Sequence, residues 1–442
     1  MHRSRIDYIF YHIGFHVELD EVRDYFVFGD ESKADKNCIY FPLSNNNLDI
    51  KKVIYFDDNI PILFPIGESF RYYKQEGGSI IFEHDLLQSA FYLLSGLQEF
   101  GSYTERPLNR YSWQDSIQKQ LKITAKPVVN YYFEIIIEAI EKFCSLHDLS
   151  FKRKYPFKKP VLFMSHDIDR VKCYNFPRFK MFLKKGKPFS AAEVLLKMIL
   201  RVKDPWWNFN YFINLEKQHE VKSTWFFLGQ GIPHLDAYYS YKDIKISGVI
   251  SKLSDAGHEI GLHGTIGSAY NSEELQKNLS ELQSVSEKTI KGIRQHWLNY
   301  YPKETGKIQS QSGLSYDTTL GFHDYAGFRN SYCYPFKLYD FEQEKIQDIL
   351  ELPLVVMDGS LFDYQKLSDQ QARGEIGELK REIMKFNGIF TFLIHNNFVG
   401  AMSRELRKCH MMFYEDLLKS VKKDGYVSYT GSGICNLIDR KQ

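Results

Sequence analysis

Cysteine is scarce in this 442-residue sequence, and none of its six cysteines forms a C-x-x-C pair. Cys38, Cys144, Cys173, Cys333, Cys409 and Cys435 lie far apart, which argues against a disulfide framework or a thiolate zinc site. A reducing compartment is the simpler expectation. No apolar run approaches the ~18 residues that a membrane span requires. The basic start, Met1-His2-Arg3-Ser4-Arg5, is interrupted by polar and acidic residues before any apolar signal core forms. These absences predict a cytoplasmic protein without a membrane span. Charge of one sign is also lacking: 57 Lys and Arg face 55 Asp and Glu, a formal net charge of +2. A dedicated nucleic-acid binder carries a strong basic excess, so no nucleic-acid partner is expected. Low net charge with 43% hydrophobic residues excludes a disordered chain. Internal repeats and low-complexity segments are missing as well.

What is abundant is aromatic side chain, 16% of the residues. The length predicts two or three domains. Residues 1–150 hold short β-rich runs separated by Asp, Asn, Gly and Pro: Tyr8–Tyr11, Tyr25–Phe28, Ile39–Phe41, Val53–Phe56 and Ile62–Phe64. Asp85 is placed to cap a helix beginning at Leu86, and a second helix is predicted over Tyr131–Leu146. This is the pattern of a small α/β N-terminal domain with a helical connector and no chemical motif. A basic stretch, Phe151–Pro160, marks the boundary; such runs are ordinarily solvated linkers.

From 155 to 442 strand-like runs alternate with helix-like segments. Strands are predicted at Val161–Met164, Ser223–Leu228, Glu259–Leu262, Gly292–Arg294, Leu352–Met357, Ile389–Ile394 and Tyr426–Tyr429. Seven β/α units favour a mostly parallel sheet closing into a (β/α) barrel. In a barrel the strand ends meet at one mouth. Five of these strands end in chemically capable residues: Ser165-His166-Asp167-Ile168-Asp169, His263-Gly264-Thr265, Arg294-Gln295-His296-Trp297, Asp358, and His395-Asn396-Asn397. Taken singly, an Asp after a strand is ordinarily a cap and a His a hydrogen-bonded structural residue. Together, two acids, several imidazoles and a guanidinium are what metal-assisted hydrolysis needs: ligands, a base, an acid and an anion holder.

Gly257-His258-Glu259-Ile260-Gly261-Leu262-His263-Gly264-Thr265 resembles the G-H-E-I-x-x-H-[ST] motif of the polysaccharide deacetylases (NodB-homology, carbohydrate esterase family 4-like). Ser165–Asp169 resembles that family's T-F-D-D motif with altered spacing, Arg294–Trp297 its R-x-P-[YW] motif, and Leu393–Asn396 its L-x-H motif. Gly327-Phe328-Arg329 and Glu351-Leu352-Pro353-Leu354 point to a branch with an additional N-terminal domain. The resemblance covers about residues 155–442. It implies a distorted (β/α) barrel and a divalent metal, zinc above all, serving removal of N-acetyl groups from a carbohydrate. It also implies roles: Asp167 the general base, Asp169 and His263 metal ligands, His395 the general acid, and Arg294 the residue that holds Asp167.

Two departures stand out. The family's second histidine, four residues after the first, is replaced by Gly267 beside Ser268, and Ile168 splits the paired acids. In an extended strand Asp167 and Asp169 still point the same way. His296 is the best candidate for the third ligand, with His166 behind it. Trp297 is the candidate sugar platform; Asp358, Arg329 and Asp324 are candidate sugar contacts or ordinary loop residues. His258 reads as structural and Trp225 as core. Two other functions compete: an inactive deacetylase-like glycan-binding protein, motivated by the missing histidine, and a glycoside hydrolase pairing Asp167 with another carboxylate. The balanced charge fits a neutral glycan better than a polyanion.

Overall fold

The computed structural model describes residues 2–439 apart from 30–36, 45, 57–58, 102–105 and 234. Its N-terminal region opens on a helix, Arg3–Ile13, where the β-rich run Tyr8–Tyr11 predicts a strand. Ile6, Ile9, Phe10 and Ile13 are all buried and fall at i, i+3, i+4 and i+7. A helix gathers them on one face, whereas a strand would send Ile9 and Phe10 to opposite sides. Six short strands follow among the described residues: β1 (Phe26–Phe28), β2 (Ile39–Phe41), β3 (Ile54–Phe56), β4 (Ile60–Ile62), β5 (Tyr73–Glu76) and β6 (Ser79–Phe82). They form a sheet in the order β1-β2-β6-β5, antiparallel only between β5 and β6, beside an antiparallel β3–β4 hairpin. Asp85 caps the helix Leu86–Leu94 by accepting from the Gln88 N–H at 2.7 Å. The connector helix, Val128–Leu146, buries Ile136, Ile137, Ile140 and Phe143.

The strands of the second region are β7 (Val161–Ile168), β8 (Ser223–Leu228), β9 (Glu259–Gly264), β10 (Gly292–Gln295) and β11 (Tyr316–Asp317). They continue with β12 (Phe336–Asp340), β13 (Lys345–Glu351), β14 (Val356–Met357), β15 (Ile389–Leu393) and β16 (Val427–Ser428). Their order is β12-β13-β11-β10-β9-β8-β7-β15-β14, with β16 beside the first residues of β7. Every pairing is parallel except β12–β13. Parallel neighbours need crossovers, and helices such as Ile244–Asp255, Ser272–Gln283 and Asp369–Phe386 supply them.

The sheet is therefore a curled, distorted (β/α) barrel, but it stays open. Among the described residues nothing pairs β12 with β14. Residues 318–330 pass near that opening, where the Leu354 N–H donates to Leu320 O at 3.1 Å and the Gly327 N–H to Val355 O at 2.9 Å. Of the predicted strand Leu352–Met357 only Val356–Met357 is extended, as β14, and residues 352–355 link it to β13, which ends at Glu351. Pro353 lies in the break, where its missing N–H interrupts no ladder.

One apolar core runs through both regions. At Gly327 the backbone adopts φ 146°, and a Cβ would lie 2.5 Å from Thr124 O, so only glycine allows the connector to approach this closely. The basic stretch 151–160 is pinned at its start: Lys152 pairs with Glu18 at 2.5 Å and Arg153 with Glu134.

Candidate active site

Because β7 stays extended through Ile168, its side chains alternate across the sheet. Asp167 and Asp169 reach the barrel mouth, and His166 points to the opposite face. There His166 Nε2 lies 2.6 Å from Glu216 Oε1 and its ring packs against Phe212 and Trp225. His258 and Ser223 join the same buried network, with Ser223 Oγ 3.0 Å from His258 Nδ1. Glu216 is held below the usual carboxylate range: burial raises it, but His166, with His258 and the Ser223 hydroxyl, more than offsets this. His166 is thus kept from the mouth.

The mouth encloses a cavity of about 490 Å³ lined by Asp167, Asp169, His263, His296, Trp297 and His395 among others. β9 delivers His263 and β10 delivers Arg294, and the two are register partners. Arg294 is completely buried and donates from Nη1 to Asp167 Oδ1 at 2.8 Å and to Ser165 Oγ at 3.0 Å. Its Nε is fixed by Thr318 O at 3.0 Å. The charge-assisted bond fixes the Asp167 carboxylate through one oxygen. The other, Oδ2, lies 3.5 Å from His263 Nε2.

Asp169, His263 and His296 bring one donor atom each to within 4.8 Å of one another. Asp169 Oδ1 is 3.2 Å from His263 Nε2, and Asp169 Oδ2 is 3.7 Å from His296 Nε2. Tetrahedral bonds of 2.0–2.2 Å would separate zinc donors by roughly 3.4 Å, so the spacing fits such an ion. Two further observations support the fit. Asp169 Oδ1 is buried without a hydrogen-bond partner. Each histidine also has its other nitrogen engaged by an acceptor: His263 Nδ1 donates to Arg294 O at 2.8 Å, and His296 Nδ1 to Asp236 Oδ1 at 3.1 Å. Those bonds select the tautomer that leaves both Nε2 lone pairs free for a cation. Burial raises the Asp169 carboxyl, yet the imidazoles in their protonated forms, His296 first and then His263, hold it well below its usual range.

At Gly267, where the resemblance implies a further histidine, a Cβ would lie 2.1 Å from Glu274 Oε2. The Glu274 carboxylate occupies that space, and His296 approaches Asp169 from the neighbouring strand end instead.

His395 follows β15. Its Nδ1 lies 2.7 Å from Asp358 Oδ1, and its backbone N–H donates to Asp358 Oδ2 at 2.8 Å. Burial disfavours the imidazolium, but Asp358, aided by Asp169 and Asp167, raises the pKa to about 10. His395 Nε2 faces Asp169 Oδ2 at 3.9 Å. Asp358, read from the sequence as a sugar contact, lines the mouth but has both oxygens engaged by His395.

Trp297 is 41% exposed at the mouth and sits at φ 63°, followed by Leu298 at φ 54°. Two consecutive non-glycine residues in the left-handed region are costly, and such strain clusters at functional sites. Arg329 lies elsewhere. It is buried, its Nε donates to Glu99 Oε1 at 2.9 Å, and it takes no part in lining the mouth. The physical reason is charge: Glu99 is itself buried and needs this guanidinium. Asp324 accepts from the Trp113 N–H at 3.0 Å and holds the N-terminal region against the barrel.

Two residues escape the sequence reading. Asp236 orients His296 but lies eight positions beyond the end of β8, where no periodicity marks it. Arg110 reaches the mouth from the N-terminal region, its guanidinium carbon 5.0 Å from the Trp297 ring centroid. Its Nε is buried without a hydrogen-bond partner among the described residues. Nothing in the sequence near Arg110 announces this.

The fold and site define an open, curled β/α barrel with an acid–histidine mouth. A family of unknown function (DUF7033) matches residues 2–145. No curated protein matches the chain by sequence. Among solved structures it is similar to a Mycobacterium smegmatis protein designated a polysaccharide deacetylase, at 16% identity, TM-score 0.43, covering 65% of this chain and 92% of that one. It is also similar to a CE4 family pseudoenzyme from Bacillus anthracis, at 13% identity, TM-score 0.35, covering 66% and 71%. A third is the Bc1960 peptidoglycan N-acetylglucosamine deacetylase, at 13% identity, TM-score 0.33, covering 63% and 90%.

Proposed function

We propose that this protein is a metal-dependent hydrolase that removes N-acetyl groups from a carbohydrate. The observation that carries the reading is the convergence of Asp169, His263 and His296 between a fixed carboxylate, Asp167, and a fixed imidazolium, His395. Zinc, when bound by those three residues, would polarise the acetyl carbonyl and acidify a water. Asp167 Oδ2, left free by the Arg294 bond on Oδ1, takes the water's proton. The Asp358 carboxylate keeps Nδ1–H of His395 engaged, so the Nε2 proton is available to the departing nitrogen. The amide C–N bond breaks, giving acetate and a free amine. The half-exposed Trp297 face offers a platform for the C–H face of a sugar. Metal analysis of the purified protein and an acetate-release assay on N-acetylated oligosaccharides test the reading. Bound zinc near one equivalent with acetate release is expected. Zinc binding without acetate would support the glycan-binding alternative, and new reducing ends without acetate the glycoside hydrolase.

The His395 charge has a pH consequence. The Asp358 carboxylate keeps the acid protonated further into the alkaline range than an ordinary imidazole, and activity is lost as pH rises through the raised pKa. Asp358→Asn removes the main partner, so the alkaline limb of kcat/KM should move down toward the ordinary imidazole range near 6.5. An unmoved alkaline limb in that variant would separate His395 from the acid step.

A further inference from the structure

Between β7 and β8, ahead of the helix Phe209–Gln218, the chain carries a helical hairpin, Phe176–Lys184 and Pro188–Ile199. The first helix buries no residue, and the second only Ala191 and Val194. Large apolar side chains face outward instead: Phe176, Leu183, Phe189, Leu196, Ile199 and Leu200 are each about half exposed or more, Phe189 at 90%. Phe189, Leu196 and Leu200 fall at i, i+7 and i+11, so they share one face of the second helix.

The charge of this insertion is as unusual as its apolarity. Residues 172–203 carry nine Lys and Arg against a single acid, Glu193, in a chain whose whole net charge is +2. Seven of the nine are lysines. Lysine is depleted from the cores of protein–protein interfaces. It suits a lipid surface, where its stem lies along the acyl boundary and its ammonium meets anionic headgroups. An apolar face edged by lysines is the pattern of a helix lying in the membrane interface. No described helix is long and apolar enough to cross a membrane. The hairpin base is tied to the mouth: Asn396, next to His395, donates from Nδ2 to Arg170 O at 2.8 Å and to Trp206 O at 2.9 Å.

We infer that the hairpin 176–200 docks the protein on an anionic lipid bilayer with the barrel mouth held beside the surface. If the deacetylase reading above also holds, the substrate class is an N-acetylated sugar carried on a membrane lipid.

Co-sedimentation of the full chain with vesicles tests the docking without any activity readout. The protein should sediment with phosphatidylcholine vesicles containing about one-third phosphatidylglycerol, and remain in solution with pure phosphatidylcholine. Phe189→Ser with Leu196→Ser and Leu200→Ser, and separately Lys184→Glu with Lys185→Glu and Lys187→Glu, should each weaken association about tenfold or more. All six positions are exposed or edge the exposed face, so circular dichroism and thermal unfolding should match the parent. Failure to sediment with either vesicle overturns the inference, as does association that neither triple variant weakens. Dimerisation in solution that the serine variant abolishes, with no vesicle binding, would assign the face to a second copy instead. Acetate release from a soluble oligosaccharide by both variants, measured in parallel, keeps failure of docking distinct from failure of the catalytic reading.

Discussion

Asp167→Asn should lower kcat for acetate release by about 10²–10⁴-fold, the range that a positioned general base contributes. The substitution keeps the shape of the side chain and keeps an oxygen to accept from Arg294 Nη1, now 2.8 Å from Asp167 Oδ1. It removes the only property the proposed step requires, a carboxylate oxygen able to take a proton. Zinc content should be unchanged, because the convergent donors belong to Asp169, His263 and His296. The cost of the substitution is confined by burial. Arg294 is fully buried and loses its ionic partner while retaining Thr318 O and Ser165 Oγ, so some loss of stability accompanies the loss of rate. Thermal unfolding measured beside the assay separates the two. Retained kcat in a folded, zinc-loaded Asp167→Asn protein would remove Asp167 from the base role.

The second large effect concerns which histidine completes the proposed metal site. His296→Ala should abolish measurable zinc binding in a competition titration, and Asp236→Asn, acting through the orientation of His296, should weaken it by about 10–100-fold. His166→Ala should behave in the opposite way. Its imidazole faces Glu216 on the helical side of the sheet, fully buried. Removing it leaves a buried carboxylate without its main partner, a loss of about 3–5 kcal/mol. Zinc affinity should then persist while denaturant unfolding shifts sharply. Zinc binding lost in His166→Ala but kept in His296→Ala would reverse the assignment of the third ligand.

Much of the site was legible because Asp167, Asp169, His263, Arg294, His296 and His395 lie at or just past strand ends, and strand ends of a parallel sheet meet at one edge. The acid pair on β7 illustrates how far local rules reach. Alternation puts Asp167 and Asp169 on one side and His166 on the other, provided the segment is extended, and it is. The same rule fails at Tyr8–Tyr11, where aromatic and β-branched content reads as strand, but the buried set Ile6, Ile9, Phe10 and Ile13 has helical spacing. It fails again at β12, an antiparallel strand whose Phe336–Asp340 is buried at four of five positions and so shows little alternation.

Sequence alone determined the fold class and the candidate groups: acids and imidazoles at the ends of successive parallel strands, in an order resembling the polysaccharide deacetylases. It could not decide the partners, because partnership depends on contacts between distant segments. Asp358 looked like a sugar contact and turns out to grip His395, 37 residues away. Arg329 looked available and is neutralised by Glu99, 230 residues away. Asp236 and Arg110 carried no local mark at all, yet one orients His296 and the other brings the N-terminal region to the mouth. Only the tertiary structure could show that His296 converges with Asp169 and His263, and that the lysine-rich hairpin leaves its apolar face uncovered. The reason is physical: local sequence sets propensity and alternation, whereas burial and electrostatic pairing are properties of the packed chain.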